Sequence, residues 1–213
     1  GGISRADAHL QSYSCSLVRG ALEDALDGQL DFLDGAIFPH TCDSIQRLSD
    51  IWRMNAKTGF HLDVVLPVKL DTASARDYMA TVMGNARSEL ETLLDRPISD
   101  ADQKQAIDIY NGIRTTMQRL YTLRADRPEA ISGSDVHAIV RASMVMDRRD
   151  FLDNLTRVVD SLEQSSSDQP AAKRIFLSGG VCNLPDVYGA IESAGGCVVG
   201  DDLCTGSRGL TGT

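Results

Sequence analysis

The feature that most constrains this chain is a long run, roughly residues 71–166, that carries helical signals and no strand signal. It is set between two stretches in which helix and strand patterns alternate. Within the run, Thr72 to Leu94 reads as one amphipathic segment. Ser99-Asp100-Ala101-Asp102 has the cap residue and first-turn acids of a helix start, for a helix reaching about Leu123. Ser134 opens another helix, which Phe151 to Leu162 continues or follows. Asp126-Arg127-Pro128 and Ile131-Ser132-Gly133 supply the breaks.

Before this block the texture is different. Cys15 to Leu30 carries a helical apolar stripe, and Gly35-Ala36-Ile37-Phe38-Pro39 is a short apolar run bounded by Gly and Pro, as a buried strand is. Thr41 to Met54 reads as a second helix, and Leu62 to Val68 as a second strand. Helix, strand, helix, strand with short connections predicts a parallel sheet with covering helices. After the block, the polar stretch Ser165-Ser166-Ser167-Asp168-Gln169-Pro170 reads as a linker. Then come a strand at Arg174–Ser178, a Gly179-Gly180 turn, a helix at Asp186–Ala194 and a strand at Cys197–Val199. The predicted organisation is α/β: a first α/β unit at 1–70, a helical region at 71–166 and the start of a second α/β unit at 167–213. Neither α/β stretch is long enough to cover both faces of a parallel sheet. The chain therefore reads as a piece of a longer polypeptide, cut at both ends.

Composition removes several function classes. The formal net charge is -9 and aromatics are 5%, so there is no electrostatic footprint for nucleic acid. The nearest basic cluster, Arg148-Arg149, is bracketed by Asp147 and Asp150 and reads as a solvated helix face. No apolar run approaches the ~18 residues of a membrane span. Residues 1–7 lack the hydrophobic segment of a signal peptide. A cytoplasmic location is expected. Five cysteines at scattered spacings do not form a secreted disulfide framework.

Three of these cysteines sit at the ends of predicted elements. Cys42 follows the strand ending at Pro39, Cys204 follows the strand Cys197–Val199, and Cys15 stands where a helix begins. In an open parallel sheet, ligands gather beyond the carboxyl ends of the strands. A helix N-terminus stabilises a thiolate. Three thiolates so placed suit an iron–sulfur cluster. The competing readings are buried packing thiols, since free cysteine is commonly buried, and zinc, although no close Cys-x-x-Cys pair exists. Cys197 opens an apolar strand and reads as core, whereas Cys182 is ambiguous. No G-x-G-x-x-G follows a predicted strand, which disfavours a dinucleotide site.

Four segments together resemble the 2-hydroxyacyl-CoA dehydratase and benzoyl-CoA reductase family: Tyr13-Ser14-Cys15-Ser16-Leu17-Val18-Arg19-Gly20, Leu33–Asp43, Arg174–Gly179 and Gly195–Arg208. Their order around a helical block matches as well. The resemblance implies two Rossmann-like units, both incomplete here, separated by a helical insertion. It implies a [4Fe–4S] cluster held by Cys15, Cys42 and Cys204, an acyl-CoA substrate, a homologous partner subunit and an ATP-dependent iron–sulfur activator as electron donor. The expected chemistry is one-electron reduction of the thioester, leading to dehydration or ring reduction. The alternative within the same family is a double-cubane electron-transfer protein without a CoA substrate, which would need further cysteines such as Cys182 or Cys197. Around the ligands, Ser16, Thr41 and Ser44 either donate to cluster sulfides or cap helices. His40 and Asp43 are candidate proton carriers, with a hydrogen-bonded structural histidine and a first-turn acid as the plainer readings. Arg208 is a candidate for binding a CoA phosphate or a thioester oxyanion, or is a surface charge. Gly179-Gly180 is a weak candidate phosphate cradle.

Overall fold

The computed structural model describes residues 2–57, 59–165, 173–182 and 186–210. Most of the expected linker, 166–170, lies outside them. The chain forms two compact units, Gly1–Ser99 and Asp100–Thr213.

In the first unit, α1 (Ser16–Leu26) leads to β1 (Gly35–Pro39), then α2 (Asp43–Asn55) and β2 (Phe60–Val64). The strands pair in parallel, Gly35 opposite Phe60 through to Pro39 opposite Val64. The apolar stripes of α1 and α2 close on this pair, burying Val18, Leu22, Phe38, Leu48 and Trp52 in one cluster. Trp52 meets Phe38 edge-on, with ring centroids 5.5 Å apart. The helix α1 is shorter than its stripe suggests. It stops at Leu26, and Gly28 (φ 77°) takes the left-handed conformation that turns the chain away. The second strand also differs from the expected Leu62–Val68. It starts at Phe60 and ends at Val64, because β1 offers a partner no further, and Val68 lies fully exposed. The long α3 (Ala73–Leu94) follows, capped by Thr72, whose hydroxyl accepts from the Ala75 N–H.

In the second unit, α4 (Asp100–Asp126), α5 (Gly133–Val145) and α6 (Arg148–Gln164) pack around Ile113, Met117, Leu120, Val136, Val140, Phe151, Leu155 and Val159. Arg119 bridges α4 to Asp160 (2.6 Å) and Glu163 (2.7 Å) of α6. Arg148 is less solvated than its sequence context suggests. Its guanidinium lies 5.6 Å from the Tyr110 ring centroid, and its Nε donates to the Tyr110 hydroxyl at 3.1 Å. Then come β3 (Lys173–Ser178), α7 (Val187–Ser193) and β4 (Gly196–Asp202). The two strands are parallel. Ile175 pairs with Val198 but Phe176 pairs with Gly200, so Val199 is one residue extra, a bulge in β4. The strand β4 runs past the expected end at Val199 and takes in Gly200, Asp201 and Asp202. No strand lies between β2 and β3 among the described residues, and no helix among them is long and apolar enough to cross a membrane.

Candidate functional site

Two cysteines open helices in the first unit. Cys15 is the N-cap of α1 and Cys42 the N-cap of α2, and neither side chain accepts a hydrogen bond from its helix. Other helices here are capped by oxygen. Thr72, Ser132, Asp147 and Asp186 each accept from a first-turn N–H. A helix N-terminus leaves its first N–H groups without intrahelical partners and carries a partial positive charge. A thiol in place of the oxygen cap leaves those donors free for another acceptor. Cys42 is exposed and extended, three residues beyond the end of β1, and Cys15 is half-buried against the α1–α2 core. A cavity of about 400 Å³ lies beside them. Gln11, Tyr13 and Ser14, leading into Cys15, form one wall, and Asp43, Ser44 and Arg47, following Cys42, form another.

The loop carrying Cys42 is anchored by a polar network that local sequence does not reveal. His40 Nε2 lies 2.9 Å from Asp63 Oδ1. Ser49 donates to the same carboxylate and lies 2.9 Å from His61 Nε2. The His61 ring stacks on Phe38 at 5.0 Å. Burial pushes the Asp63 carboxyl up. The hydrogen bonds from Ser49 and His40 and the charges of His61 and His40 outweigh it, leaving the carboxyl below the usual range. His40 is thus held by a carboxylate. Asp43 is exposed in the first turn of α2, and the exposed Ser16 and Thr41 hydroxyls bond to no described residue.

In the second unit the loop after β4 presents Cys204, exposed, to the Arg208 guanidinium, whose Nη1 is 3.1 Å from its sulfur. The same guanidinium donates to Asp202 Oδ1 (2.8 Å), the Asp202 carbonyl (2.7 Å) and the Gly179 carbonyl (3.0 Å). That set occupies most of its donors and holds the Asp202 carboxyl below the usual range. At Gly179-Gly180 the Gly179 N–H donates to the Asp202 carbonyl at 3.3 Å. Their carbonyls point at this loop, that of Gly180 accepting from the Cys204 N–H at 3.1 Å, and α7 begins only at Val187. Cys197 is buried, donates to the Pro128 carbonyl at 3.3 Å, and has its thiol pushed up by burial. Cys182 is half-buried against Tyr188, Val198 and Leu203. A mostly apolar cavity of about 370 Å³ adjoins Cys204, walled by Ile113 of α4, Val140 and Met144 of α5, and Leu210, with Arg114 and Arg148 also lining it.

The candidate ligands thus divide, Cys15 and Cys42 in the first unit and Cys204 in the second. Among the described residues no three His, Cys, Asp or Glu side chains gather to hold a metal ion. What each cysteine offers is chemically suited to iron–sulfur ligation: a free thiol at an element end, with N–H or guanidinium donors beside the sulfur.

Comparison with known proteins gives a consistent picture. The family model described as 2-hydroxyglutaryl-CoA dehydratase, D-component, matches residues 1–213. The chain is 28% identical over 204 residues to a subunit of the benzoyl-CoA reductase of Thauera aromatica, covering 94% of this chain and 52% of that protein. It is 21% identical over 206 residues to the (R)-phenyllactyl-CoA dehydratase beta subunit of Clostridium sporogenes, covering 97% and 55%. It is 23% identical over 205 residues to the (R)-2-hydroxyglutaryl-CoA dehydratase beta subunit of Acidaminococcus fermentans, covering 96% and 54%. The chain spans about half the length of these relatives. With the match running from its first residue to its last, this chain belongs to the 2-hydroxyglutaryl-CoA dehydratase D-component family.

Proposed function

We propose that the chain is the cluster-binding part of a benzoyl-CoA reductase or 2-hydroxyacyl-CoA dehydratase-type subunit, with Cys15, Cys42 and Cys204 as ligands of one [4Fe–4S] cluster. The observation that carries this reading is the pair of helix N-caps occupied by cysteines that cap nothing, whereas α3, α5, α6 and α7 are capped by oxygen. When bound, the cluster would supply single electrons at low potential to an acyl-CoA thioester. The protein's part is to place the three sulfurs and to supply hydrogen-bond donors around them. The N-termini of α1 and α2 offer N–H donors beside Cys15 and Cys42. Arg208 does the same at Cys204 through its 3.1 Å contact. Ser16 and Thr41, beside two of the ligands, have hydroxyls free to donate. His40, oriented by Asp63, is a proton carrier adjacent to Cys42.

A double-cubane arrangement would draw on Cys182 and Cys197. The burial of Cys197 and its bond to Pro128 favour the single cluster. The relatives are named as subunits of enzymes acting on CoA thioesters, which supports a homologous partner subunit. An ATP-hydrolysing iron–sulfur activator as electron donor and a cytoplasmic setting complete the proposal.

The test is an iron and sulfide count, with an electron paramagnetic resonance spectrum, on anaerobically purified full-length protein. About four irons per chain are expected. They should be lost in Cys15→Ala, Cys42→Ala and Cys204→Ala and kept in Cys197→Ala. About eight irons would establish the double cubane instead. No iron in the full-length protein would reject both.

A further inference from the structure

We infer that Asp201 is the positioning residue for the loop that carries Cys204, an inference that rests on Cys204 being a cluster ligand. Asp201 makes no hydrogen bond to that sulfur among the described residues. It sits in β4 at 4% exposure, and its carboxylate spans two elements. Oδ2 accepts from the Tyr121 hydroxyl of α4 at 2.8 Å. Oδ1 accepts from the Ser207 N–H at 2.7 Å. Its main-chain carbonyl takes the Ser207 hydroxyl at 2.5 Å. A buried carboxylate without partners is costly, so the loop has one geometry in which this group is satisfied.

The fit around it is close. A Cβ on Gly206 would overlap Asp201 Oδ1, so only glycine lets the chain pass so near the carboxylate. Arg124, fully buried in α4 with no hydrogen-bond partner on its guanidinium among the described residues, places a compensating positive charge near Asp201. Ser207 is followed directly by Arg208, whose Nη1 reaches the Cys204 sulfur. Moving Ser207 therefore displaces the sulfur's own hydrogen-bond donor. The carboxylate thus sets both the path of the ligand loop and the donor beside the ligand. Hydrogen bonds to ionised acceptors are stronger and more directional than neutral ones, which suits a fixed anchor.

The test uses the full-length protein as wild type, Asp201→Ala, Asp201→Asn and Tyr121→Phe. Amide hydrogen exchange is measured on the cluster-free chain, and the reduction potential and chelator resistance on the iron-loaded protein. The N–H groups of Cys204, Gly206 and Ser207 should exchange about tenfold or more faster in Asp201→Ala, and by a smaller factor in Tyr121→Phe, while those of Val198 to Gly200 keep their protection. The loaded variants should show a shifted potential and faster loss of iron. Unchanged loop exchange in Asp201→Ala overturns the inference. So does a rise spread equally over β3 and β4, which would make Asp201 a general support of the fold. If Asp201→Ala does not fold, Tyr121→Phe decides by the same criteria. Wild type without iron would reject the cluster reading and leave the exchange result standing. Normal iron with unchanged exchange would reject only the positioning role.

Discussion

Leu22→Ala is a direct test of the first unit, because Leu22 is wholly buried on the helix that presents Cys15. The substitution removes three carbons from the cluster of Val18, Phe38, Leu48 and Trp52. Loss of their transfer free energy costs about 2.4 kcal/mol, at roughly 0.8 kcal/mol per carbon. The neighbours are anchored on two helices and a strand and cannot collapse fully, so the residual cavity adds about 1 kcal/mol, for a total of about 3–4 kcal/mol. Trp52 is the one tryptophan in the chain and is 3% exposed in that same cluster. Its fluorescence during urea unfolding therefore reports this core. For a slope of about 1 kcal/mol per M, the midpoint should fall by about 3 M. The volume-conserving Leu22→Met should cost less than about 1.5 kcal/mol. A loss below about 1 kcal/mol in Leu22→Ala would refute the packing of α1 onto β1 and with it the placement of Cys15.

Three further outcomes are expected. The folded-state value of the Asp63 carboxyl lies below the unfolded one, because bonds from Ser49 and His40 and the charges of His61 and His40 overcome the opposing effect of burial. The stability this contributes is complete above about pH 4 and is lost as pH falls through the folded value. Asp63→Asn should flatten that acid limb in a Trp52 fluorescence titration and cost about 1–2 kcal/mol at neutral pH. Asp147→Ala removes the acceptor for the Arg149 (2.9 Å) and Asp150 (3.2 Å) amides and should cost about 1 kcal/mol in thermal unfolding followed by circular dichroism. Gly133→Ala would place a methyl 2.7 Å from both Arg124 Nη2 and Glu192 Oε1 and 2.9 Å from Tyr188 Cδ1. It should destabilise by about 1–3 kcal/mol in the same assay, although alanine is normally the better helix former.

Most elements were legible because periodicity is local. Gly35–Pro39 and the Thr72-capped α3 stand where their patterns place them. Errors arose where partners decide. The apolar run after Val64 reads as strand, yet only the ladder with β1 makes strand of it, and that ladder starts at Phe60. Gly200-Asp201-Asp202 has poor strand propensity and reads as loop. It is strand because β3 pairs with it and because Tyr121 and Ser207 satisfy the buried carboxylate. Asp63 and Asp201, which organise the two cysteine loops, carry no local signature. Tyr121 is eighty residues from Asp201, and nothing in either neighbourhood announces the pairing. The cysteines could be singled out because each sits at an element boundary, and boundaries are visible in sequence. Which carboxylate steadies each loop is a tertiary fact.

The extra residue at Val199 bears on how relatives of this chain should be aligned. Side chains on a strand alternate faces with a period of two, so one extra residue would exchange inward for outward unless a bulge takes it up. Asp201 is buried and Asp202 exposed downstream of the bulge. Asp201 faces Leu177 and Asp202 faces Ser178 across the ladder, so deleting Val199 would remove the bulge and leave the anchoring carboxylate inward and the arginine-paired one outward. A gap in this segment is thus not equivalent to a gap in the loop beyond it. A homologue lacking the bulge would be expected to keep its anchoring acid opposite the same β3 position, so the spacing between that acid and the cysteine is a better guide to shared architecture here than percent identity.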